Sequence, residues 1–511
     1  MTRSATLAHA PARRPVRRLA ALACTQLLLA ACTAQALTPM PGPAWPDPKP
    51  QPRPPVAIQP WPPVLDKPDF QAPSATDCRR PIETREVPGR DGAAQEEREL
   101  ERRSGDARRS RAEVMEASPA PSPVAPVLAA PAGRAAVAED MAAAVAPSVL
   151  PPGRRPAPQP QPQRPQVTAG VVDDNADFAG YLAFRDRTQV EHRARDVSER
   201  YLLEVKDAAG RPVPDAEVAV RAPQGHAMWA RTDTGGRVWL HPNAFDPMRS
   251  QVYEVAVRQG TQQARGFLRR GQKSAVEVTL SGAALPARAQ LDLVFLIDAT
   301  GSMADEIGKL KASLADIARE VSRLPSRPDL CFGLVAYRDK GDAFLLRSHD
   351  FTNDLGAFQG ALDKLRAAGG GDYPEAMNEA LHETVHQLSW RGAGTTRMVV
   401  LLADAPPHLD YGGPQYDSDM LAALGKGIKV FGVAASGLDR QGEYIQRQIA
   451  QYTGGRFVFL TYADAARPGS SGPGRETSHD VAGYSVESLD RLIVRLVREE
   501  LGRLPTARAG G

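Results

Sequence analysis

At 511 residues the chain is longer than one ordinary domain, and its prolines show where packed domains do not lie. Of its 46 prolines, 31 precede residue 166, so the first third of the chain is unsuited to a continuous hydrophobic core. The net charge is +3, and the N-terminal segment contributes five arginines before residue 19 and no acids. Without that segment the net charge is −2, and this negative charge argues against a nucleic-acid partner.

Residues 1–32 have the organisation of a bacterial signal peptide. Arginines without acids are followed by an apolar run over residues 19–31, which is too short to span a bilayer as a mature helix. The run ends in LLAAC, which resembles a lipobox, and this resemblance implies that Cys32 is lipidated and becomes the new N-terminus. An ordinary signal peptide cleaved near Ala34 or Ala36 is the alternative. Twin arginines also leave export by the Tat route open.

Residues 33–166 are predicted to be a disordered tether. Stretches such as PAWPDPKPQPRPP favour extended polyproline II and cannot build a packed core. Cys78 falls in this tether, whereas Cys331 lies far along the chain in an apolar strand and is expected to be an ordinary core residue. We therefore expect no structural disulfide, although the compartment would permit one.

Residues 167–288 are predicted to form a small all-β sandwich with an N-terminal lead-in. Seven short runs separated by turn signals have the alternation of strands: YLLEVKD, AEVAVRA, HAMWART, RVWLHP, QVYEVAV, ARGFLRR and AVEVTL. The stretch DAAGRPVPDAEVAV and the later turn TDTGG resemble bacterial Ig-like and carboxypeptidase-regulatory modules over about residues 198–281. The resemblance implies a structural or spacing role.

Residues 289–504 alternate strand and helix, which predicts an α/β domain with a doubly wound, mainly parallel, Rossmann-like sheet. The expected strands are LDLVFLID, LCFGLVAYRD, AFLLRSHDF, MVVLLADA, KVFGVAA and RFVFLTYA. A helix with an apolar stripe from Met303 to Leu324 follows the first strand, and further helices are expected at about 354–367, 374–389, 417–427, 441–452 and 486–501.

Oxygen-bearing side chains follow several of these strands. The first strand ends in LIDATGSM, which places Asp298, Thr300 and Ser302 at every second residue. Asp404 ends another strand, and the loop AGGGDYPEA offers Asp372. Because ligands bind at the carboxyl ends of strands in such sheets, these residues are expected to converge. Carboxylate and hydroxyl oxygens suit Mg²⁺, Mn²⁺ or Ca²⁺ better than zinc.

This arrangement resembles the von Willebrand factor type A (vWA) domain and its metal-ion-dependent adhesion site over about residues 290–501. The resemblance assigns Asp298, Thr300 and Ser302 to the Asp-x-Ser/Thr-x-Ser triplet and Asp404 to the distal aspartate, and it implies a bound divalent ion. Where many members have a threonine, this chain has Asp372, which is a ligand, a ligand through water, or only a helix cap. A degenerate site that binds no metal remains the alternative.

The segment HETVH matches the HExxH zinc-protease pattern, with His382, Glu383 and His386 in the required places. A metzincin would continue with a glycine and a third histidine, where this chain has Ser389 and Gly392. The helix also carries an ordinary apolar stripe, with the histidines expected at the sheet edge or in solvent. A zinc peptidase is therefore the second functional hypothesis.

The first hypothesis is an envelope lipoprotein, and no enzyme, that binds another envelope or surface protein through a divalent ion. Thr33 after the lipobox cysteine implies the outer membrane. The loop after Asp404 offers His408, Tyr411 and Tyr416 as partner contacts, unless these side chains pack locally. No small-molecule substrate is expected. The third hypothesis is a structural spacer with a vestigial metal site.

Overall fold

The computed structural model describes Cys78 and residues 83–90, 167–283, 288–371, 373–468 and 471–505. Its strands are β1 (Thr84–Val87), β2 (Thr168–Val172), β3 (Tyr201–Lys206), β4 (Glu217–Arg221), β5 (Ala227–Arg231), β6 (Arg237–Leu240), β7 (Val252–Gln259), β8 (Gln262–Arg269), β9 (Val276–Thr279), β10 (Gln290–Asp298), β11 (Asp329–Tyr337), β12 (Leu346–Thr352), β13 (Thr395–Ala403), β14 (Ile428–Ala434), β15 (Phe457–Thr461) and β16 (Glu487–Ser488). Its α-helices are α1 (Phe178–Arg187), α2 (Ala304–Ser322), α3 (Leu355–Lys364), α4 (Met377–His386), α5 (Tyr416–Lys426), α6 (Arg440–Thr453) and α7 (Leu489–Gly502). None of the described helices is both long enough and apolar enough to cross a membrane.

The largest sheet has the strand order β1-β12-β11-β10-β13-β14-β15-β2-β16. Its five central strands run parallel to one another: β11, β10, β13, β14 and β15. Antiparallel pairing extends the sheet at both edges, through β12 and β1 beyond β11 and through β2 and β16 beyond β15. The six strands expected in the C-terminal part of the sequence are all present, so this part of the chain is α/β. The two strands that end in the predicted acids, β10 and β13, lie side by side at the centre.

Helices cover both faces of this sheet because β10 is apolar on both sides. Leu293 and Phe295 belong to a core that includes α2, α3 and α7, whereas Val294 and Leu296 belong to a core that includes α4, α5 and α6. The predicted apolar stripe, which runs along α2 and includes the flanking Met303 and Leu324, is entirely buried: Met303, Ile307, Leu310, Leu314, Ile317, Val321 and Leu324. The helical spacing of apolar residues therefore identified this helix and its inward face correctly.

All seven strands expected in the preceding domain are present. They form one sheet in the order β6-β3-β9 and another in the order β5-β4-β7-β8. Leu203, Val205, Val218, Val220 and Val255 are fully buried or nearly so, as alternating strands that share one core require.

The domain boundary at residue 167 was wrong in one respect. The lead-in strand β2 does not join the β-sandwich but pairs antiparallel with β15 in the large sheet. Helix α1 follows it, and Phe184 of α1 lies 6.2 Å from the ring of Tyr444 on α6. The β-sandwich is therefore inserted between two segments of the α/β sheet, an arrangement that local strand patterns do not reveal.

The expectation that no disulfide forms was also wrong, because Cys78 is bonded to Cys331 of β11. Both residues are buried, as expected for Cys331, and the backbone N–H of Asn353 donates to the carbonyl of Cys78. Downstream of Cys78, β1 pairs with β12 as an edge strand. A short part of the predicted tether, Thr84–Val87, thus belongs to the sheet. The sequence separation of 253 residues between the two cysteines hid the pairing from sequence reasoning.

Buried ion pairs join the β-sandwich to the α/β domain. Asp215 of the sandwich accepts from Arg397 of β13 at 2.9 Å and lies 3.1 Å from Arg231. Burial by itself would raise the pKa of Asp215, but the two guanidinium groups hold it below its usual value. At the same boundary Lys429 of β14, which pairs with Glu500 of α7 at 2.8 Å, also lies 3.4 Å from Asp233 of the sandwich, and Thr234 of the sandwich donates to Glu500.

Candidate metal site

The site lies where β10 ends in the middle of the large sheet. Asp298 is the last residue of this strand, and the chain then turns through residues 299–303 into α2. Asp404 directly follows the neighbouring parallel strand β13. Because parallel strands bring their carboxyl ends to the same edge, the fold brings these two acids together as the sequence predicted.

The side chains of the triplet contact one another. The backbone N–H and the hydroxyl of Thr300 both donate to Oδ1 of Asp298, at 3.0 and 2.7 Å. The hydroxyls of Thr300 and Ser302 are 3.0 Å apart. Asp298 and Thr300 are fully buried, whereas Ser302 is exposed. The triplet thus runs from a buried carboxylate to a hydroxyl at the surface.

Two carboxylate oxygens at this site remain without hydrogen bonds. Oδ2 of Asp298 and Oδ1 of Asp404 are buried and accept no hydrogen bond from the described residues. Burying a charged oxygen without a compensating partner costs on the order of several kcal/mol. The two oxygens are thus suited to a cation.

The pKa values of the acids report the same electrostatic conflict. Burial raises the pKa of Asp298 to about 6, against opposing hydrogen bonds from Thr300. Burial and the negative charge of Asp298 raise the pKa of Asp404 to about 7, against the opposing Ser302 hydroxyl. Without a cation, carboxylates in such proximity repel each other and take up protons near neutral pH.

A glycine loop lies against the triplet. The backbone N–H of Gly301 donates to the carbonyl of Gly369 at 2.9 Å, and Gly369 and Gly370 both have positive φ. A Cβ on Gly370 would lie 2.9 Å from Oε1 of Glu375 and 3.2 Å from Cβ of Thr300. Only glycine allows this close approach. Asp372, the fourth predicted element, lies outside the described residues.

Sequence reasoning missed further acids beside the site. The Glu375 carboxylate faces the glycine loop next to Thr300. Burial, followed by the charges of Asp298, Asp404 and Glu375, raises the pKa of Tyr337 well above its usual value. Glu375 had a recognisable signal, since it follows the glycine loop by four residues in GGGDYPE.

Asp339 and Asp342 had a comparable signal, because they follow the end of β11 in the stretch YRDKGD. Oδ2 of Asp342 accepts from the backbone N–H of Gly370 at 2.9 Å and from that of Asp339 at 3.1 Å. These bonds fix the glycine loop to the end of β11, so Asp342 positions the loop that faces the triplet.

The donor set therefore fits a divalent cation with oxygen ligands. Asp298 and Asp404 would supply carboxylate oxygens, and Thr300 and Ser302 would supply hydroxyl oxygens. Carboxylates, hydroxyls and water are the ligands that Mg²⁺, Ca²⁺ and Mn²⁺ prefer. With this ion the site would compensate the two buried charges that are otherwise in conflict.

The three predicted partner contacts are mostly not at the surface. Tyr416 is completely buried, and its hydroxyl donates to Gln448 at 3.1 Å, so this prediction was wrong. His408 is also buried, and its ring stacks on Tyr411 at 3.7 Å. Tyr411 is half-buried and donates to Asp339 at 2.9 Å. His408 and Tyr411 therefore pack locally, which was the alternative to partner contact.

Tyr373 is the large side chain that the structure exposes beside the site. It is 48% exposed, and its hydroxyl accepts from the backbone N–H of Asp439 at 3.2 Å. Its pKa is raised by burial of the hydroxyl and by the charge of Asp439, with a smaller contribution from Asp404. The ring thus borders the candidate metal site and is open to solvent, although sequence reasoning did not select it.

The HETVH segment is located elsewhere in the domain. His382 and His386 of α4 are buried rather than exposed, which corrects the expectation from sequence. Both contact Asp419 of α5 at 3.0 Å. Glu383 binds other residues, namely Arg85 of β1 at 2.7 Å and Ser348 of β12 at 2.8 Å. Cys32, the predicted lipidation site, lies outside the described residues.

Comparison with known proteins supports the resemblance to the vWA domain over part of the α/β region. Residues 292–410 match the family described as von Willebrand factor A domain, and such a domain therefore lies in this part of the chain. The chain is 30% identical over 148 residues to the alpha-protein kinase vwkA of Dictyostelium discoideum, covering 29% of this chain and 23% of the kinase. It is 30% identical over 121 residues to a putative ariadne-like RING finger protein of Acanthamoeba polyphaga mimivirus, covering 24% and 12% respectively. The chain thus spans less than a quarter of either relative.

Solved structures give weaker similarities. The pilus adhesin SpaC of Lactobacillus rhamnosus GG, in its open conformation, matches 41% of this chain and 31% of its own, at 15% identity and a TM-score of 0.25. The proximal thread matrix protein 1 of the mussel byssus matches 35% of this chain and 49% of its own, at 15% identity and a TM-score of 0.23.

Proposed function

We propose that this chain is a cell-envelope lipoprotein whose vWA domain binds another envelope or surface protein through a divalent cation. Mg²⁺ is the proposed ion, with Ca²⁺ or Mn²⁺ as substitutes. The observation that carries the proposal is the pair of buried, unpaired oxygens on Asp298 and Asp404 beside the hydroxyls of Thr300 and Ser302. vWA domains in general mediate protein binding.

The charge of the site bears on what the partner must supply. Asp298, Asp404 and the neighbouring Glu375 are three acids against one divalent ion, and Asp372 would add a fourth if it faces the ion. Such a site holds its ion without a carboxylate from a partner, and it attracts an acidic ligand less than a neutral site does. We therefore propose that partner contact uses the rim of the site, where Tyr373 is exposed.

The expected capping role of Asp372 does not hold, because helix α4 begins at Met377 and its N-cap is Ala376. Its role as a ligand can still be tested. If Asp372 is a ligand, Asp372→Ala should weaken Mg²⁺ binding by roughly tenfold or more, the loss of one charged ligand. If it is not, calorimetric titration should show the same Mg²⁺ affinity in Asp372→Ala as in the wild type.

Partner capture from envelope extract tests the proposed function. Wild-type protein should retain a specific partner in Mg²⁺ and release it in EDTA. Asp404→Asn, which removes a site charge with little change in shape, should retain nothing above background. Asp410→Asn is the matched control, because Asp410 lies in the same loop with its side chain 79% exposed. Wild-type retention of the partner in EDTA, or retention by Asp404→Asn in Mg²⁺ equal to that of the wild type, would contradict metal-dependent binding.

The zinc peptidase is the competing proposal, and its general base is poorly placed. Glu383 is buried and bound to Arg85 and Ser348, whereas the histidines face Asp419. We expect Glu383→Gln to lower stability, since it weakens a buried ion pair, and to change no biological activity. A peptidase activity that Glu383→Gln abolishes without unfolding the protein would overturn this assignment. A spacer with a vestigial site would bind no metal at all.

The anchor is a separate part of the proposal. We propose that Cys32 is lipidated and that the protein resides at the outer membrane, as the LLAAC ending and Thr33 suggest. Labelling with a radioactive fatty acid should mark the wild type but not Cys32→Ser, which should remain unprocessed or soluble. An unlabelled wild type would end the lipoprotein proposal without affecting the metal site.

A further inference from the structure

A second group of metal-ligating side chains lies between helices α4 and α5. Nδ1 of His382 and Nε2 of His386 each lie 3.0 Å from Oδ1 of Asp419. These three ligand atoms all lie within 4.8 Å of one another. The two imidazole rings are 4.3 Å apart at their centroids, as the spacing of four residues on one helix allows.

We propose that His382, His386 and Asp419 form a structural zinc site, distinct from the oxygen site at the end of β10. Two imidazole nitrogens and one carboxylate oxygen are three of the four ligands of a tetrahedral zinc, and a water molecule would supply the fourth, whereas Mg²⁺ and Ca²⁺ favour oxygen alone. Ligands about 2.0 to 2.2 Å from a tetrahedral zinc are separated from one another by roughly 3.3 Å. The observed N···O distances of 3.0 Å are close to that value.

Burial of the cluster supports a built site rather than a surface coincidence. The side chains of His382, His386 and Asp419 are 1%, 7% and 0% exposed. Oδ2 of Asp419 is buried and accepts no hydrogen bond from the part of the chain that the structure describes. A purely hydrogen-bonded arrangement, with both imidazoles donating to Oδ1, leaves this second oxygen unsatisfied at a cost. A metal bound by the carboxylate removes that cost.

The position of the cluster indicates what the ion would do. Helix α4 begins just after the glycine loop and Glu375, and α5 begins after the loop that follows Asp404. The glycine loop contacts the triplet through the hydrogen bond from Gly301 to Gly369, and the backbone N–H of Glu375 donates to the carbonyl of Pro406 in the loop that follows Asp404. A zinc ion between α4 and α5 would therefore cross-link the two helices that carry these loops. This role needs neither Glu383 as a base nor access for a substrate.

Metal analysis of the full chain, purified without a polyhistidine tag, tests the proposal. After equilibration with zinc and removal of excess, the wild type should retain one zinc ion per chain. Asp419→Asn and His386→Gln should each lower zinc affinity at least about 100-fold, because loss of a partner that only orients a ligand already costs 10- to 100-fold. The visible absorption spectrum of the Co²⁺-substituted wild type should show nitrogen and oxygen coordination that Asp419→Asn abolishes.

Two controls separate this site from the proposed function and from unspecific binding. Asp404→Asn should lose Mg²⁺ affinity and keep its zinc, and His226→Gln should keep both, because His226 is exposed on the β-sandwich. A wild type that retains no zinc, or zinc affinity that Asp419→Asn leaves unchanged, would overturn the proposal. If circular dichroism shows Asp419→Asn to be unfolded, His386→Gln at the last residue of α4 decides the question.

Discussion

Binding of Mg²⁺ at the end of β10 should release protons, because the two carboxylates that would hold the ion carry raised pKa values. Burial raises the pKa of Asp298 to about 6, and burial with the charge of Asp298 raises that of Asp404 to about 7. Each carboxylate must be ionised to bind the cation. Lowering the pH from 8 to 6 is therefore a perturbation that acts on these two groups, and the affinity for Mg²⁺ should fall.

The magnitude follows from the two pKa values. At pH 6 about half of Asp298 and nine-tenths of Asp404 are protonated, so binding should release about 1.4 protons per ion, against about 0.1 at pH 8. The apparent affinity should accordingly rise about 20-fold from pH 6 to pH 8. The stability of the metal-free domain has the opposite pH dependence: because the two pKa values are raised by folding, the free energy of unfolding falls as the pH rises through them.

Isothermal titration calorimetry measures both quantities. Mg²⁺ is titrated at pH 6 in two buffers with different ionisation enthalpies, and the difference in observed heat gives the number of protons released. Repeating the titration at pH 8 gives the ratio of affinities. Asp410→Asn should reproduce the wild-type values, since Asp410 is exposed in the loop beyond the site. Proton release near zero at pH 6, with affinity independent of pH, would refute the argument that these two carboxylates hold the ion.

Three further predictions concern stability. Asp215→Ala should lower the free energy of unfolding by about 3 to 5 kcal/mol, because it leaves the buried guanidinium groups of Arg231 and Arg397 without their shared carboxylate; denaturant unfolding measures this, and a loss below about 1 kcal/mol would contradict it. Burial lowers the pKa of His241 to about 3, so between pH 7.5 and 5 the unfolded state takes up a proton that the folded state does not. Over this range the free energy of unfolding of the wild type should fall by about 2 kcal/mol relative to that of His241→Leu; parallel plots of unfolding free energy against pH for the two proteins would refute this. Reduction of the disulfide should lower stability by about 2 to 5 kcal/mol while Mg²⁺ affinity persists, as titration in reductant would show; a loss of Mg²⁺ binding would contradict that independence.

Local sequence patterns were sufficient to predict the strands and helices of the α/β domain and part of the candidate site. The apolar run of β10 and the helical spacing on α2 identified both elements, and together they place Asp298 and Thr300 at a strand end. Asp404 joined them because β13 lies parallel beside β10. The elements themselves depend on residues within one strand, one helix or one turn, where sequence periodicity is informative, and the meeting of Asp298 with Asp404 follows from the rule that parallel strands bring their carboxyl ends to one edge.

Contacts between distant segments were the ones that sequence reasoning missed. The bond between Cys78 and Cys331 and the pairing of β2 with β15 each join parts separated by more than 250 residues. Likewise, the spacing of His382 and His386 places both on one face of α4, but nothing in HETVH identifies Asp419 on the next helix as their partner. Tyr416 failed for the same reason, since a tyrosine near a loop gives no sign of whether its ring is buried.

Direct titration of Mg²⁺ into Asp404→Asn and Asp410→Asn tests the central claim most simply. The two substitutions make the same chemical change six residues apart, one at a buried oxygen of the proposed site and one at an exposed side chain. Asp404→Asn should bind Mg²⁺ at least about tenfold more weakly than the wild type, as expected when one charged ligand is lost, while Asp410→Asn should bind as the wild type does. Equal affinity in all three proteins would contradict the claim that this edge of the sheet holds a divalent ion.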